Sequence, residues 1–409
     1  MHSTQQYFPV EYVIIQSMIN LTYEYKLKPT KAQVAIIEDT LSVCRRVWNY
    51  ALSERKAWVN SRKCNVNSCS INSEYIIPAD LAFPNYYVQA KALSKARKEI
   101  PELKNTNSQV LQQVLRTLDG AWQDMFKRNF GFPRFKNNNR MRSFLFPQFK
   151  TNPFVKEEGN KIKLPKLGLV KYFNSREIPD GFKVKQVRIV RRASGYYMMV
   201  AITLDVVIAD PIYHGHAKGI DIGLEYFAAT SDGELIHRPK FFKSLHRKLK
   251  LLQRRLKFKK LGSNSRNKLN KKIAKLHEKI SNTRKDFHFK TAHKLSEDTG
   301  AIFVEDINFT SWSRNMLRKH NLDAGFGQFI NILQYVCWKT DTYFAKVNKD
   351  YTSQTCPNCN ELTGKKDLSV RVHSCQHCGY TTQRDVAAAQ VIRNRGVNAV
   401  GTTVLENAS

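Results

Sequence analysis

Apolar positions between residues 30 and 128 recur at helical spacing. Behind Pro29-Thr30, a helix-start signal, they fall at Ile36, Ile37, Leu41, Cys44, Val47, Trp48, Ala51 and Leu52, which predicts a helix over 32–61. Two more helical stretches follow at 86–98 and 107–128, the second carrying Val110, Leu111, Val114, Leu115, Leu118, Trp122 and Phe126. The stretch 62–80, rich in Asn, Ser and Cys, reads as a loop. Ahead of the first helix, an alternating strand is expected over about 20–28. Residues 1–17 stand apart from it and are expected to be a disordered extension or an upstream start.

From Phe130 the period shortens to two. Phe132–Lys136, Ser143–Pro147, Lys161–Pro165, Lys183–Val190 and Tyr196–Leu204 alternate apolar with basic or polar residues, the texture of a small β-barrel. The remainder mixes strands with helices. Lys218–Gly223 leads into Tyr226–Ser231, an Asp232-Gly233 turn and a returning strand, which predicts a hairpin. A helical hairpin is expected over 240–294, a buried strand at Ala301–Val304, a helix at Gly325–Thr340, a strand at Tyr343–Val347 and a last helix at Asp385–Arg395.

Charge changes this picture most. The 409 residues hold 67 Lys+Arg against 34 Asp+Glu, a net charge of +33. A chain this basic repels itself until a polyanion neutralises it, and nucleic acid is the common one. The hairpin region 240–294 concentrates the effect, with 20 Lys+Arg and only Glu278 and Asp286 as acids. A solvated face normally mixes signs, so a single sign reads as a phosphate track. Arg247, Arg254, Arg255 and Arg284 lie on it. Basic and aromatic residues interleave on the expected strands too, Arg134 and Lys136 among them, a pattern suited to phosphates and bases together. The apolar run Val10–Ile15 is too short to span a membrane.

Eight cysteines are present, and four form Cys356-Pro-Asn-Cys359 and Cys375-Gln-His-Cys378. Each C-x-x-C makes a knuckle with two thiolates facing one metal, and the fifteen intervening residues can fold back as a hairpin. Four thiolates make a closed tetrahedral zinc site, structural because no position is left for substrate. The remaining Cys44, Cys64, Cys69 and Cys337 are scattered, which suits a reducing compartment.

Three carboxylates occupy unusual places. Asp221 interrupts Ile220 and Ile222 in a strand, Glu305 ends the apolar strand, and Asp385 opens the last helix directly after the cysteines. Brought to one sheet edge, they would repel unless divalent cations bridged them. Oxygen ligands suit Mg²⁺, and two such ions can activate water and steady the leaving oxygen of a phosphodiester. On spacing alone, Asp306 competes with Glu305, and Asp385 fits equally as a helix cap.

The order Gly-Ile-Asp221-Ile-Gly, Val-Glu305-Asp, Thr352-Ser-Gln-Thr, the four-cysteine ribbon and Arg384-Asp385-Val-Ala-Ala-Ala resembles the TnpB family. So do Tyr23–Thr30, Trp48–Leu52, Gly131–Lys136, Ser143–Gln148 and Arg284–Phe287, and the likeness runs from about Ile19 to Gly396. It implies a multidomain α+β fold: a wedge β-barrel (18–29 and 129–208), an inserted helical recognition lobe (30–128) and a RuvC nuclease domain of RNase H-like fold (209–350 and 382–396). A zinc ribbon (351–381) interrupts that domain, and a flexible tail (397–409) follows. It further implies a transposon-encoded RNA-guided DNA endonuclease that binds a guide RNA from the transposon end. Such a protein cuts double-stranded target DNA beside a short adjacent motif, working in the cytoplasm of a prokaryotic cell and on its nucleoid. Asp221, Glu305 and Asp385 would be its catalytic, Mg²⁺-binding triad, and Cys356, Cys359, Cys375 and Cys378 its Zn²⁺ ligands. Gln383 stands where the family usually has an acid and Ala387 where it usually has Asn. Tyr50, Ser108, Gln109 and Gln112, polar positions on apolar helices, are candidates for reading the motif, since Gln and Ser can bond base edges. Two rival readings are a non-cleaving RNA-guided repressor and an RNase H-fold transposase.

Overall fold

A computed structural model describes residues 18–63, 77–78, 80–149, 151–155, 159–207, 209–309, 318–367 and 369–406. The expected extension 1–17 and most of the expected loop 62–80, with Cys64 and Cys69, lie outside them. The chain divides into two compact units, Met1–Ile208 and Ala209–Ser409.

In the N-terminal unit, strand β1 (Met18–Lys28) leads into helix α1 (Lys31–Lys63). Thr30 and Gln33 cap α1 reciprocally, each side chain accepting the other's backbone N–H. Helices α2 (Tyr86–Glu99), α3 (Pro101–Asn105) and α4 (Ser108–Lys127) follow. The predicted stripe of α4 is its buried face, from Val110 to Trp122. The sheet comprises β1 with β2 (Ser143–Phe146), β3 (Phe154–Val155), β4 (Lys161–Leu164), β5 (Gly168–Tyr172), β6 (Lys183–Arg192) and β7 (Gly195–Val207). Its order is β2-β6-β7-β1-β5-β4-β3, with antiparallel neighbours throughout. In β1, Tyr25 and Leu27 are buried while Glu24, Lys26 and Lys28 are exposed, the expected period of two.

Two expectations fail here. Phe132–Lys136 is not a strand. Its backbone groups are taken by α1 side chains: Trp48 Nε1 donates to the Arg134 carbonyl (3.1 Å), Asn49 Nδ2 to the Lys136 carbonyl (3.0 Å), and Asn49 Oδ1 accepts the Lys136 N–H (2.8 Å). Strands β3 and β5 were not foreseen, being short or opening on a glycine.

The C-terminal unit is built on a mixed five-stranded sheet, ordered β10-β9-β8-β11-β12. Strands β8 (Ala217–Asp221), β11 (Ala301–Glu305) and β12 (Tyr343–Val347) are mutually parallel, while β9 (Tyr226–Thr230) and β10 (Leu235–His237) form the predicted hairpin. Helices α5 (Phe241–Lys257) and α6 (Asn264–Ser296) are the basic hairpin; α7 (Arg318–Ala324) and α8 (Phe326–Lys339) complete one covered face. Its core gathers Ile220, Phe227, Ile302, Val304, Phe329, Leu333 and Val336. His288 lies within it, stacked on Phe227, its Nε2 2.9 Å from the Ala324 carbonyl. Burial pushes this imidazole down to about 4.

The last helix, α9 (Arg384–Glu406), covers the sheet's other face. The expectation that it ends at Arg395 and gives way to a flexible tail is wrong as far as Glu406. Gly396 sits inside the helix, at a point where a Cβ would overlap the Phe303 ring, so only glycine fits there. Gly219 of β8 has the same role, since a Cβ would overlap the Ala389 carbonyl oxygen. Between β12 and α9 lies the ribbon, with the two-stranded sheet β13 (Val372–Ser374) and β14 (Thr381–Gln383) and a Thr355–Leu362 bridge.

Candidate active site and four-cysteine metal centre

Asp221 is the last residue of β8 and Glu305 the last of β11. These strands are parallel with Ile220 opposite Val304, so the next position on each places Asp221 beside Glu305. Neighbouring parallel strands lie about 4.8 Å apart, with side chains of facing residues on one side of the sheet. The close approach at Gly219 lets α9 press against β8, and Asp385 is four residues before Ala389, about 6 Å along the axis. Three carboxylates from distant parts of the chain are thereby brought to one sheet end.

The electrostatics record the crowding. Desolvation, then the Glu305 carboxylate, then the Asp385 carboxylate push Asp221 well above the usual carboxylate range, against Arg384 and the Ile222 N–H. Desolvation also raises Glu305, although the Thr352 hydroxyl, Arg395 and Lys349 oppose it. Thr352 Oγ1 donates to Glu305 Oε1. Gln383 Nε2 donates to Asp385 Oδ2 (3.3 Å), while its Oε1 accepts the Val386 N–H (2.8 Å) and caps α9. Asp306, the rival to Glu305, instead reaches Lys346 Nζ at 3.5 Å and is exposed. Three convergent carboxylates, all oxygen donors, fit a hard divalent cation.

The four cysteines form a tighter cluster. Their sulfur atoms all lie within 4.8 Å of one another. Cys356 and Cys378 Sγ are 3.6 Å apart, as are Cys359 and Cys375. Tetrahedral zinc with Zn–S bonds of about 2.3 Å would hold sulfurs ~3.8 Å apart, so the cage fits that ion closely. Asn358 Nδ2 donates to Cys378 Sγ (3.6 Å), a contact that favours the thiolate a metal needs. Among the described residues this is the sole cluster of metal-ligand side chains so compact; the carboxylates are more widely spaced.

The ribbon is tied to α9 along its length. Tyr380 Oη donates to Gln390 Oε1 (2.8 Å), Asn394 Nδ2 to the Pro357 carbonyl (2.9 Å), and Arg384 Nη1 to the Asp367 carbonyl (2.8 Å). The departure Ala387 is buried, at 2% exposure.

The candidate nucleic-acid residues divide by their surroundings. Arg247, Arg254 and Arg255 are exposed on α5, and Arg134 is exposed on the irregular segment before β2. Tyr50 is 66% exposed on α1, while Ser108, Gln109 and Gln112 are part-buried in the first turns of α4. Arg284 is engaged internally, Nη1 donating to the Leu322 carbonyl (2.8 Å). The Lys136 ammonium rests 3.8 Å from the centre of the Trp48 ring. Composition alone did not separate the exposed cations from these engaged ones. Nor did it give Thr352 or Gln383 a contact with the carboxylates.

Comparison with known proteins extends over nearly the whole chain. A family model described as "Probable transposase" matches residues 211–316, one described as "Cas12f1-like, TNB domain" matches 326–392, and one described as "Helix-turn-helix domain" matches 18–64. In this structure the last stretch is a strand and one long helix. A protein of Escherichia coli (strain K12) named "Putative RNA-guided DNA endonuclease InsQ" is 29% identical over 401 residues, covering 94% of this chain and 92% of the relative. A "Putative RNA-guided DNA endonuclease" of Streptomyces pristinaespiralis is 26% identical over 394 residues, covering 94% and 91%. Among solved structures, Cas12f1 in a complex with sgRNA and target DNA superimposes with a TM-score of 0.56 at 11% identity, over 93% of this chain and 99% of that one. That likeness concerns the fold, a multidomain α+β architecture with a RuvC-type unit and a cysteine ribbon. From motif order, matched segments and fold together, the chain belongs to the TnpB family.

Proposed function

We propose that this protein is an RNA-guided DNA endonuclease whose chemistry is performed at Asp221, Glu305 and Asp385. The observation that carries the reading is the convergence of Asp221 and Glu305, at the ends of neighbouring parallel strands, with Asp385 on the helix packed against them. A fold gathers like charges at such a cost chiefly where it will bind cations or handle protons. The full-length relatives bear the same activity in their names.

The three carboxylates would hold two Mg²⁺ ions, which supply Lewis acidity and an activated water at a phosphodiester. Asp221 and Glu305 present oxygen ligands from two rigid strand ends, and Asp385 presents a third from a helix packed on the same sheet. Cys356, Cys359, Cys375 and Cys378 would hold one structural Zn²⁺. The N-terminal sheet serves as the wedge and α1–α4 as the recognition lobe, where Tyr50, Ser108, Gln109 and Gln112 contact the motif beside the target. Arg247, Arg254 and Arg255 line a phosphate track. Base pairing to the guide supplies sequence choice, as in other guided nucleases.

The test is to purify the protein, sequence the RNA bound to it, and offer a plasmid library carrying the matching target beside randomised flanks. The reading expects one RNA species and cutting of matched plasmids next to one short motif, lost after RNase treatment. A preparation free of RNA would overturn it. Guided binding without cutting would favour the repressor reading, and RNA-independent joining of DNA ends the transposase reading.

A further inference from the structure

Two residues flanking the ribbon touch the carboxylate centre. Thr352 lies four positions before Cys356, and Gln383 five positions after Cys378. The Thr352 hydroxyl donates to Glu305 Oε1, and its side chain is within 3.1 Å of the Lys349 carbonyl. A hydroxyl has one proton, and the carboxylate is the stronger acceptor. Thr352 is 5% exposed, so its hydroxyl is shielded from competing solvent. Its loop is held from α9: Arg395 Nη1 donates to the Asn348 carbonyl (2.8 Å) and the Asp350 carbonyl (2.7 Å).

Gln383 has the matching position on the other side. It is the last residue of ribbon strand β14, paired with Val372, and also the cap of α9. One amide therefore fixes the helix start through Val386 and orients Asp385. An acid at this position could accept the Val386 N–H but could not donate to Asp385 unless protonated. Gln383 does both.

We propose that Thr352 and Gln383 are positioning residues, which lock the Glu305 and Asp385 carboxylates in the orientation that receives divalent metal and so make the ribbon a frame for the nuclease centre. This rests on the metal-centre reading above. Partners that orient metal ligands typically change metal affinity by roughly 10–100-fold when removed. In this role each residue acts through a carboxylate and is not itself a metal ligand.

The experiment measures Mn²⁺ affinity by paramagnetic resonance, without DNA, on the full protein with its bound RNA, after subtracting the Mn²⁺ that the same RNA binds alone. It compares wild type, Thr352→Val, Thr352→Ser, Gln383→Leu and Asp221→Ala, with zinc content and melting temperature recorded for each. Thr352→Val and Gln383→Leu are expected to weaken Mn²⁺ by roughly 10–100-fold at unchanged zinc content. Thr352→Ser is expected to restore binding. In cleavage assays, the metal concentration at half-maximal rate should rise far more than the maximal rate falls. Wild-type Mn²⁺ affinity in both Thr352→Val and Gln383→Leu would overturn the proposal, as would a Thr352→Ser protein no better than Thr352→Val. If Thr352→Val does not fold, Gln383→Leu decides, and wild-type Mn²⁺ affinity there would overturn the proposal. Asp221→Ala separates the two readings: full Mn²⁺ binding there sinks the metal centre itself, whereas its loss there alone sinks only the positioning role.

Discussion

The four-cysteine ribbon and the carboxylate site are assembled in opposite ways. The ribbon draws four ligands from 23 consecutive residues, Cys356 to Cys378, and its sulfurs already stand at the spacing of a tetrahedral ion. The carboxylate site gathers three acids from positions 221, 305 and 385, and needs two parallel strands and a helix to bring them together. Thiolates in a closed cage suit a tightly held, borderline-soft ion, whereas spaced carboxylates suit hard ions. The difference suggests a division of labour: the local site builds a frame, and the long-range site does chemistry.

If that division is right, damage to the two sites should read out differently. The largest effect is expected from Asp221→Ala, which should lower cleavage of a matched plasmid by roughly 10³-fold or more, about 4 kcal/mol of transition-state stabilisation, while zinc content and bound RNA stay at wild-type levels. Zinc analysis and a plasmid-nicking assay on one preparation check this. Gly219→Ala should come next. Its Cβ meets the Ala389 carbonyl, so α9 must shift and take Asp385 with it. A stability loss of about 3 kcal/mol, the upper range for overpacking, should appear in denaturant unfolding of the C-terminal unit, with cleavage impaired and zinc retained.

Acid should weaken the same unit through His288. Its folded pKa is held down to about 4 from an ordinary 6.5, so its neutral form contributes fully above about 6.5. That contribution is lost as pH falls toward 4, about 3 kcal/mol over the window. His288→Gln should flatten this part of the stability profile, measured by thermal melts between pH 7 and 4. The smallest of the four effects is expected at the ribbon. Cys375→Ser should release the structural ion yet lower cleavage by only roughly 10–100-fold, acting through Thr352 and Gln383. An equal loss from Cys375→Ser and Asp221→Ala, at matched protein levels, would erase the distinction between frame and chemistry.

The same contrast explains what the sequence made legible. The ribbon could be read outright because its spacing is local. Helix α4 could be read because its stripe from Val110 to Trp122 needs no distant partner. The carboxylates were visible as oddities, an Asp beside Ile220 and an acid ending an apolar strand, but their convergence depends on strand register and on Gly219. Errors arose where a distant side chain overruled a local signal. Asn49 and Trp48 took the backbone of Phe132–Lys136 away from any sheet, and the Phe303 ring made Gly396 a contact residue within α9. Positive charge was legible only in aggregate, since Lys136 lies on Trp48 and Arg284 binds carbonyls while Arg254 and Arg255 are exposed.

A metal inventory tests the central claim most directly. Purified protein with its RNA is dialysed, assayed for zinc, and titrated with Mn²⁺ under paramagnetic resonance, alongside the Asp221→Ala, Glu305→Ala and Asp385→Ala variants. One zinc per chain should survive dialysis in all four proteins, and the wild type should bind two Mn²⁺ beyond those its RNA holds alone, a difference lost or severely reduced in each variant. Undiminished Mn²⁺ binding in those variants would contradict the account.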